Sequence, residues 1–203
     1  MEDDPFAFMR GEVVPENAAR SEFGSASGIV ITLETDEQGK PTKASEELIG
    51  KALELNGELG SRVSGCLTGA KALDYAKSFV HYGLDKILVV KDSDGSSITE
   101  QFAKWAEKNQ PELWMFPESR LGRRTAARVA ARLRTGFVNS VQAVNIDLGS
   151  RSMEMTHLEL QGKLRRTIVV REARPQIMTL AAGAGSPVRL SETERSPIEV
   201  LEL

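Results

Sequence analysis

The chain has 203 residues, a formal net charge of −3 and a single cysteine, Cys66. This length predicts one domain with appendages, and the small net charge gives no electrostatic reason to expect nucleic acid or acidic membranes as partners. One cysteine excludes an internal disulfide or a multi-cysteine metal site, and the chain shows neither a signal peptide nor an apolar run near the ~20 residues that span a bilayer, so we predict a soluble, cytoplasmic protein.

The first half of the chain begins with an irregular segment and then becomes periodic. Residues 1–27 mix acids and prolines with few apolar positions, which predicts an N-terminal extension that is partly disordered or bound to a partner. Residues 28–33 form an apolar run typical of a buried strand. Ser45 is then expected to cap a helix that ends near Gly57–Gly60. Its buried stripe would consist of Leu48, Ile49, Ala52, Leu53 and Leu55 or Leu59.

The same strand–helix unit then repeats along the chain. Strands are predicted at residues 62–67, 86–90 and 112–116, and helices at residues 72–82, 97–109 and 121–133. Ser97 and Glu100 have the spacing of a capping box, and Gly83 is expected to stop the preceding helix. Short apolar strands that alternate with helices require parallel pairing through right-handed crossovers. We therefore predict a three-layer α/β/α domain with a mostly parallel sheet.

The pattern changes after Gly136. Four strand-like segments follow, at residues 137–146, 153–160, 164–170 and 176–180, and the Gln161-Gly162 turn predicts a hairpin. The sheet is therefore expected to end in antiparallel strands. We place the domain at residues 28–185, with residues 186–203 as a linker or a C-terminal strand.

Familiar catalytic and phosphate-binding motifs do not match well. The run Gly183-Ala-Gly185 lacks the third glycine and the following helix of a dinucleotide loop. His81 and His157 are far apart in the sequence and are expected to be structural or solvated, with no metal site and no triad. Cys66 is expected to be a buried, inert thiol. Asp92 and Asp94 follow a strand, where an ordinary turn is favoured over a ligand site.

The helix predicted at residues 121–133 carries a row of arginines, at Arg120, Arg124, Arg128 and Arg132. Their spacing of four puts them on one ridge, opposite an apolar stripe of Ala126, Val129, Ala130 and Leu133. At the start of this helix, Ser119, Arg120, Arg123 and Arg124 are candidates for binding an anion or a nucleotide. Further along, Arg124, Arg128 and Arg132 are candidates for contact with a partner.

A row of positive side chains of this kind predicts a negatively charged binding partner, and the sequence leaves several candidates for it. A phosphate, an acidic segment of another subunit, or the chain's own Glu192, Glu194 and Glu199 could supply it. The alternative is a solvated helix face with no binding role.

A family resemblance rests on several segments in order. Gly122-Arg123-Arg124 through Gly136, together with Leu48-x-Gly50-Lys, Tyr82-Gly83-x-Asp85-Lys86 and Arg174-Pro175-Gln176-x-Met178, resembles the N-terminal domain of the electron transfer flavoprotein α subunit. The chain departs from this pattern where the family usually has Gly-Arg-Asp, since Arg124 replaces the acid.

The resemblance implies a scaffold that is not itself a catalyst. In that family this domain is a nucleotide-hydrolase-like fold without catalysis, which assembles with a β-type subunit, while a following domain binds FAD. We expect the FAD-binding domain to be absent from this chain, so that the chain alone binds no cofactor and a separate flavin-domain chain is a possible partner. The alternative is a stand-alone protein that binds an adenine nucleotide at strand ends near Gly69, Asp92 and residues 119–123.

Overall fold

The protein folds around a nine-stranded sheet, seen in a computed structural model that describes residues 28–90, 97–171, 173–193 and 196–201. The predictions made for residues 1–27, for Asp92 and Asp94, and for Glu194 lie outside the described residues. The strands are β1 (Ile29–Thr32), β2 (Val63–Thr68), β3 (Lys86–Val90), β4 (Leu113–Pro117), β5 (Phe137–Asp147), β6 (Ser152–Glu159), β7 (Leu164–Val169), β8 (Gln176–Leu180) and β9 (Ile198–Leu201). The helices are α1 (Lys43–Leu59), α2 (Ala72–Ala76), α3 (Ile98–Asn109) and α4 (Arg120–Leu133).

The strand order is β7-β6-β5-β8-β4-β1-β2-β3-β9. All neighbouring pairs from β5 to β9 are parallel, whereas β6 pairs antiparallel with both β5 and β7. The predicted fold class, a mostly parallel α/β sheet that ends in antiparallel strands, is confirmed. The late strand β8 returns to the middle of the sheet, between β5 and β4.

Both faces of the parallel strands are buried because helices cover each of them. Successive side chains of a strand point to opposite faces. Thus Leu113 and Met115 pack into the core under α1 and α2, whereas Trp114 and Phe116 pack into a second core under α3 and α4. The alternation explains why the strands read as continuous apolar runs.

The start of α1 differs from the prediction. Thr42, and not Ser45, is the N-cap: its backbone is extended and its side chain accepts a hydrogen bond from the Ser45 backbone N–H. The Ser45 hydroxyl instead lies in the interior and donates to the carbonyl of Glu34 at 2.8 Å, while the Glu34 N–H donates to it at 2.7 Å. Ser45 therefore joins α1 to the chain that leaves β1.

The helix predicted at residues 72–82 was wrong in its length. The α-helix stops at Ala76 and tightens into a 3₁₀ turn at Lys77–Phe79. Because a 3₁₀ helix has three residues per turn, the buried positions fall at Ala76, Phe79 and Tyr82. Leu73 is exposed.

The helix α4 has the face that the sequence predicts, and α3 has the predicted cap. In α4 the predicted stripe is confirmed, with Ala126, Val129 and Ala130 buried and Leu133 packed against the same core. Ser97 caps α3 by accepting a hydrogen bond from the Glu100 N–H. Among the described residues, no helix has the length and apolar character needed to cross a membrane.

A strap, defined as residues 181–191, crosses α1 on the way from β8 toward β9. Its Gly183 N–H donates to the carboxylate of Glu47 at 2.7 Å. A Cβ atom at Gly185 would overlap the Glu47 carbonyl oxygen, and one at Gly50 would overlap the Ser186 carbonyl oxygen. Of the two glycines that partly match a dinucleotide loop, Gly185 therefore lets the strap approach the backbone of α1 closely, whereas Gly183 has a left-handed backbone with φ of 79°.

Candidate functional site

The sheet has a topological switch point between β1 and β4. These strands are neighbours, but the helices that follow them, α1 and α4, pack on opposite faces. In open α/β sheets this arrangement leaves a crevice at the carboxyl ends of the strands, where ligands usually bind. Here a cleft of about 480 Å³ occupies that position, and its lining includes Thr32, Glu34, Tyr75, Ser119 and Arg120.

Ser119 and Glu34 meet in this cleft. Ser119 is the N-cap of α4, and its hydroxyl oxygen accepts the Gly122 N–H at 2.8 Å. The same hydroxyl donates to Oε1 of Glu34 at 2.6 Å. Burial raises the pKa of Glu34 above its ordinary value, and the hydrogen bond from Ser119 opposes that shift. A carboxyl group thus lies beside the N-cap residue of α4 and is bonded to its side chain.

This geometry limits what the cleft can bind. The first turn of a helix attracts anions through its free N–H groups, and a carboxylate is one such anion. Since Glu34 bonds the Ser119 hydroxyl beside this position, a phosphate at the start of α4 would meet a carboxyl group. The arrangement suits a neutral or hydrogen-bond-donating group better than a phosphate.

The other anion candidates are not all in the cleft. Arg120 lines it, whereas Arg123 forms an ion pair with Glu118 at 3.3 Å and Arg124 lies exposed on α4. Glu118 is itself a second carboxylate at the end of β4 and accepts the Ser140 hydroxyl at 2.6 Å. Two serine–carboxylate pairs therefore lie along this edge of the sheet.

Ser140 has an unusual backbone. Its φ of 49° lies in the left-handed region, where the register of β5 shifts against β8. The nearby His157 contacts the Ser140 carbonyl oxygen at 3.3 Å, while the Ser140 hydroxyl is bonded to Glu118. The histidine therefore does not activate this hydroxyl in the manner of a nucleophile and its base.

The partner-contact candidates Arg124, Arg128 and Arg132 are exposed, and none forms an ion pair with another residue of the described part of the chain. Of the chain's own acids proposed as their counterparts, Glu199 instead pairs with Lys86 at 3.1 Å. Glu192 is exposed. The arginine ridge, defined as Arg124, Arg128 and Arg132, is thus an uncompensated positive surface within the described chain.

The remaining sequence candidates are structural. Burial raises the pKa of Cys66 to about 12, which keeps the thiol protonated and unreactive. His81 has a buried Nδ1 without a hydrogen-bond partner, and its carbonyl accepts the Ser191 N–H of the strap. Within residues 28–90, 97–171, 173–193 and 196–201, no three His, Cys, Asp or Glu side chains are grouped to hold a metal.

Sequence reasoning missed a polar network at the opposite edge of the sheet. Arg151 binds the buried carboxylate of Glu112 through two hydrogen bonds, of 2.8 and 2.7 Å, and reaches Ser61 at 3.1 Å. The Gln176 side chain donates to the Arg151 carbonyl and accepts the Met153 N–H. These contacts join β4, β6 and β8 beside a second cleft of about 770 Å³. Gln176 was visible in the sequence as part of the Arg174-Pro175-Gln176 motif, but its partners were not.

The fold and the clefts define an α/β domain of nucleotide-binding architecture whose usual phosphate position holds a carboxyl group. The electron transfer flavoprotein domain family matches residues 29–203, and the chain belongs to this family. The predicted resemblance is confirmed.

Similar proteins include the electron transfer flavoprotein subunit alpha of Clostridium acetobutylicum, which is 30% identical over 150 residues, 71% of this chain and 45% of the relative. Subunit LctC of the lactate dehydrogenase (NAD(+),ferredoxin) of Acetobacterium woodii is 30% identical over 74% of this chain and 37% of its own length. The acryloyl-CoA reductase electron transfer subunit beta of Anaerotignum propionicum is 25% identical over 81% of this chain and 52% of its own. The chain thus spans about half the length of these relatives, or less.

Proposed function

We propose that this chain is the scaffold domain of an electron transfer flavoprotein of the α-subunit type, and that it assembles with a β-type subunit to support FAD-mediated electron transfer. The observation that carries the proposal is the Glu34–Ser119 pair at 2.6 Å in the switch-point cleft. A domain of nucleotide-binding architecture with a carboxyl group in the phosphate position is better suited to support than to bind a nucleotide itself. In this role the chain is an electron-carrier component and not a catalyst.

The described residues do not fit FAD. Its pyrophosphate needs free N–H groups and cations; Arg120 lines the switch-point cleft, but the carboxyl groups of Glu34 and Glu118 lie beside the start of α4 and disfavour a phosphate there. At the opposite edge of the sheet, Arg151 and Lys86 are already paired with Glu112 and Glu199. We therefore assign FAD to the assembled flavoprotein and no step of its chemistry to this chain.

The names of the relatives support assembly with other subunits. Each of the three is described as a subunit, and two of these names also name an enzyme, a lactate dehydrogenase and an acryloyl-CoA reductase. We infer that a flavin site needs further polypeptide besides this domain, such as a β-type subunit or a flavin domain.

We place the partner contact on the arginine ridge. Its three guanidinium groups are exposed, and α4 contains no acidic residue to neutralise them. Complementary charge on a partner would raise the association rate. Because Val129 and the other buried residues of α4 lie on the opposite side, contact at the ridge does not disturb the core.

The alternative, a stand-alone protein that binds an adenine nucleotide, is less well supported because the switch-point cleft contains the carboxyl group of Glu34. It requires a phosphate beside Glu34, where Arg120 is the only candidate arginine that lines the cleft, since Arg123 is paired with Glu118. A nucleotide site would also use the segment with Asp92, which lies outside the described residues.

Two measurements test the proposal. The purified chain alone should be colourless after gel filtration and should bind neither FAD nor ATP with micromolar affinity in calorimetry. The chain co-expressed with the β-type subunit of the same genome should co-elute with it as a 1:1 complex. Stoichiometric flavin or ATP on the isolated chain, or separate elution of the two subunits, would contradict the proposal.

A further inference from the structure

The cleft of about 770 Å³ lies at the amino ends of the parallel strands, at the edge of the sheet opposite the switch-point cleft. Its lining contains three cations, Arg62, Lys86 and Arg151, and no acidic residue. Arg151 and Lys86 form ion pairs with acids outside the lining. Arg62 is exposed and forms no ion pair with another residue that the structure describes. The cleft therefore offers a positive charge without a counterpart in the described chain.

A row of side chains forms one wall of this cleft. Val30, Ser64 and Lys86 are partners in register on β1, β2 and β3, so they point to one face of the sheet, where Trp105 of α3 also packs. Ser64 is 7% exposed, and its hydroxyl has no hydrogen bond to another described residue. Buried hydroxyl groups usually have a partner. The wall thus combines apolar surface with a hydroxyl group that lacks an acceptor.

The chain enters the fold at this cleft. Gly28 lines it and directly precedes β1, whose first N–H group, that of Ile29, donates to the Arg62 carbonyl at 2.8 Å. The φ of Gly28 is 93°, a value that lets the chain change direction at this point. Residues 1–27 lie outside the described part of the chain, but they are joined to Gly28 and therefore start at the cleft.

The composition of residues 1–27 complements the cleft. They contain six acidic residues and two arginines, and hence carry a net charge of −4, against −3 for the whole chain. Glu22 and Phe23 are the acidic and the aromatic residue nearest to Gly28 in the sequence. Because six extended residues span up to ~20 Å, Glu22 is within reach of Arg62.

We propose that residues 21–27 fold back into this cleft, with the Phe23 ring against the apolar wall and the Glu22 carboxylate beside Arg62. The covalent link to Gly28 holds this segment at a high effective concentration at the cleft, which favours it over a second copy of the chain or a free anion. Docking compensates the charge of Arg62 and brings acceptor groups to Ser64. The contact is internal to the chain and does not depend on the proposed function.

Photo-cross-linking of the full chain tests this contact. With p-benzoylphenylalanine in place of Phe23, we expect cross-links within one molecule to residues 59–64 or 105–111, located by mass spectrometry. The matched control carries the same probe in place of Leu121, which is 53% exposed beside the switch-point cleft. The control should give no cross-link to these two segments.

Charge reversal tests the ion pair. Arg62→Glu should lower the yield of the Phe23-position cross-link by up to about fivefold, the range expected for an exposed ion pair, and Glu22→Arg should do the same. The two substitutions together should restore the yield. Lys71→Glu, at an exposed position near the carboxyl end of β2, should leave it unchanged. Because the Arg62 side chain is exposed, the thermal midpoints should change little.

Three results would overturn the proposal. The first is the absence of the cross-link, or a yield that does not respond to charge reversal at residue 62. The second is a cross-link that joins two chains and increases with protein concentration, which would assign the cleft to a second copy. The third is calorimetric binding of inorganic phosphate that is lost in Arg62→Gln, which would assign the cleft to a free anion.

Discussion

The carbonyl oxygen of Ser186 lies where a side chain at Gly50 would begin. The strap and α1 therefore pack backbone to backbone at this point, and a neighbouring contact of the same kind joins Gly185 to the Glu47 carbonyl. We expect Gly50→Ala to force the strap away from the helix and to lower the free energy of unfolding by about 1–3 kcal/mol.

The matched control is Gly57, which lies seven residues further along α1. A Cβ atom at Gly57 would meet nothing within 4 Å. Gly57→Ala should therefore raise the free energy of unfolding, by up to about 1 kcal/mol, because alanine favours the helix. Urea denaturation of both variants checks the pair, and equal effects of the two substitutions would show that the strap does not press on Gly50.

The carboxyl group of Glu34 should make stability depend on pH. Since burial raises its pKa from the ordinary value of 4.5, the folded protein holds this proton more tightly than the unfolded chain. The resulting stabilisation is present below pH 4.5 and is lost as the pH rises through the folded pKa. Glu34→Gln keeps an oxygen that can accept the Ser119 hydroxyl and removes the titration.

We therefore expect Glu34→Gln to gain stability relative to the wild type as the pH rises from 4.5 to 7. Denaturation at three pH values measures this difference, and Glu58→Gln, at an exposed position on α1, controls for the loss of one surface charge. A wild type that becomes more stable than the glutamine variant with rising pH would contradict the expected direction.

The arginine ridge should act on association with the partner. Replacing Arg124, Arg128 and Arg132 by glutamine leaves the buried stripe of α4 intact, so the thermal midpoint should change little. The association rate of the wild type with the β-type subunit should fall as salt rises, because exposed charges are screened over ~8 Å at physiological ionic strength.

The substituted ridge should associate more slowly at low salt and show a flatter salt dependence. Lys71→Gln, an exposed position on the other side of the sheet, should keep the wild-type slope. Stopped-flow rates at two salt concentrations decide the matter. If the ridge variant and the wild type have the same association rates and the same salt dependence, the ridge is a solvated helix face without a role in binding.

The buried carboxylate of Glu112 should depend on Arg151. Arg151→Met leaves this carboxylate without its two hydrogen bonds of 2.8 and 2.7 Å, which should cost about 1–3 kcal/mol of stability, because Glu112 is buried while Arg151 is itself 42% exposed. Glu112→Gln combined with Arg151→Met should recover part of the loss, because no unpaired charge remains. A double-mutant cycle measures the coupling, and strictly additive effects would mean that the two groups act independently.

Much of the fold could be predicted from local pattern. The apolar runs of β1 to β4, the stripe through Ala126 and Val129, and the Gln161-Gly162 hairpin are all features of neighbouring residues, and the structure confirms them. The α2 prediction failed because the α-helical period does not reveal where a helix tightens into a 3₁₀ turn. Ser45 was wrongly predicted as the N-cap because the hydroxyls of Thr42 and Ser45 could each cap the helix. Thr42 is the cap, and the Ser45 hydroxyl instead bonds to the backbone of Glu34, eleven residues away.

The sequence by itself determined most of the strands and helices, the buried face of α4, the arginine spacing and the positions of the glycines, because each of these depends on periodicity and residue type within a few turns. Only the tertiary structure decided that β8 lies between β5 and β4, that Ser119 meets Glu34 across 85 residues, and that Gly50 faces the strap. The physical reason is that these contacts join segments far apart in the chain, and no periodic pattern of residues indicates which segments meet. Their geometry is set by how the whole sheet packs, and the carboxyl group in the switch-point cleft is a result of that packing.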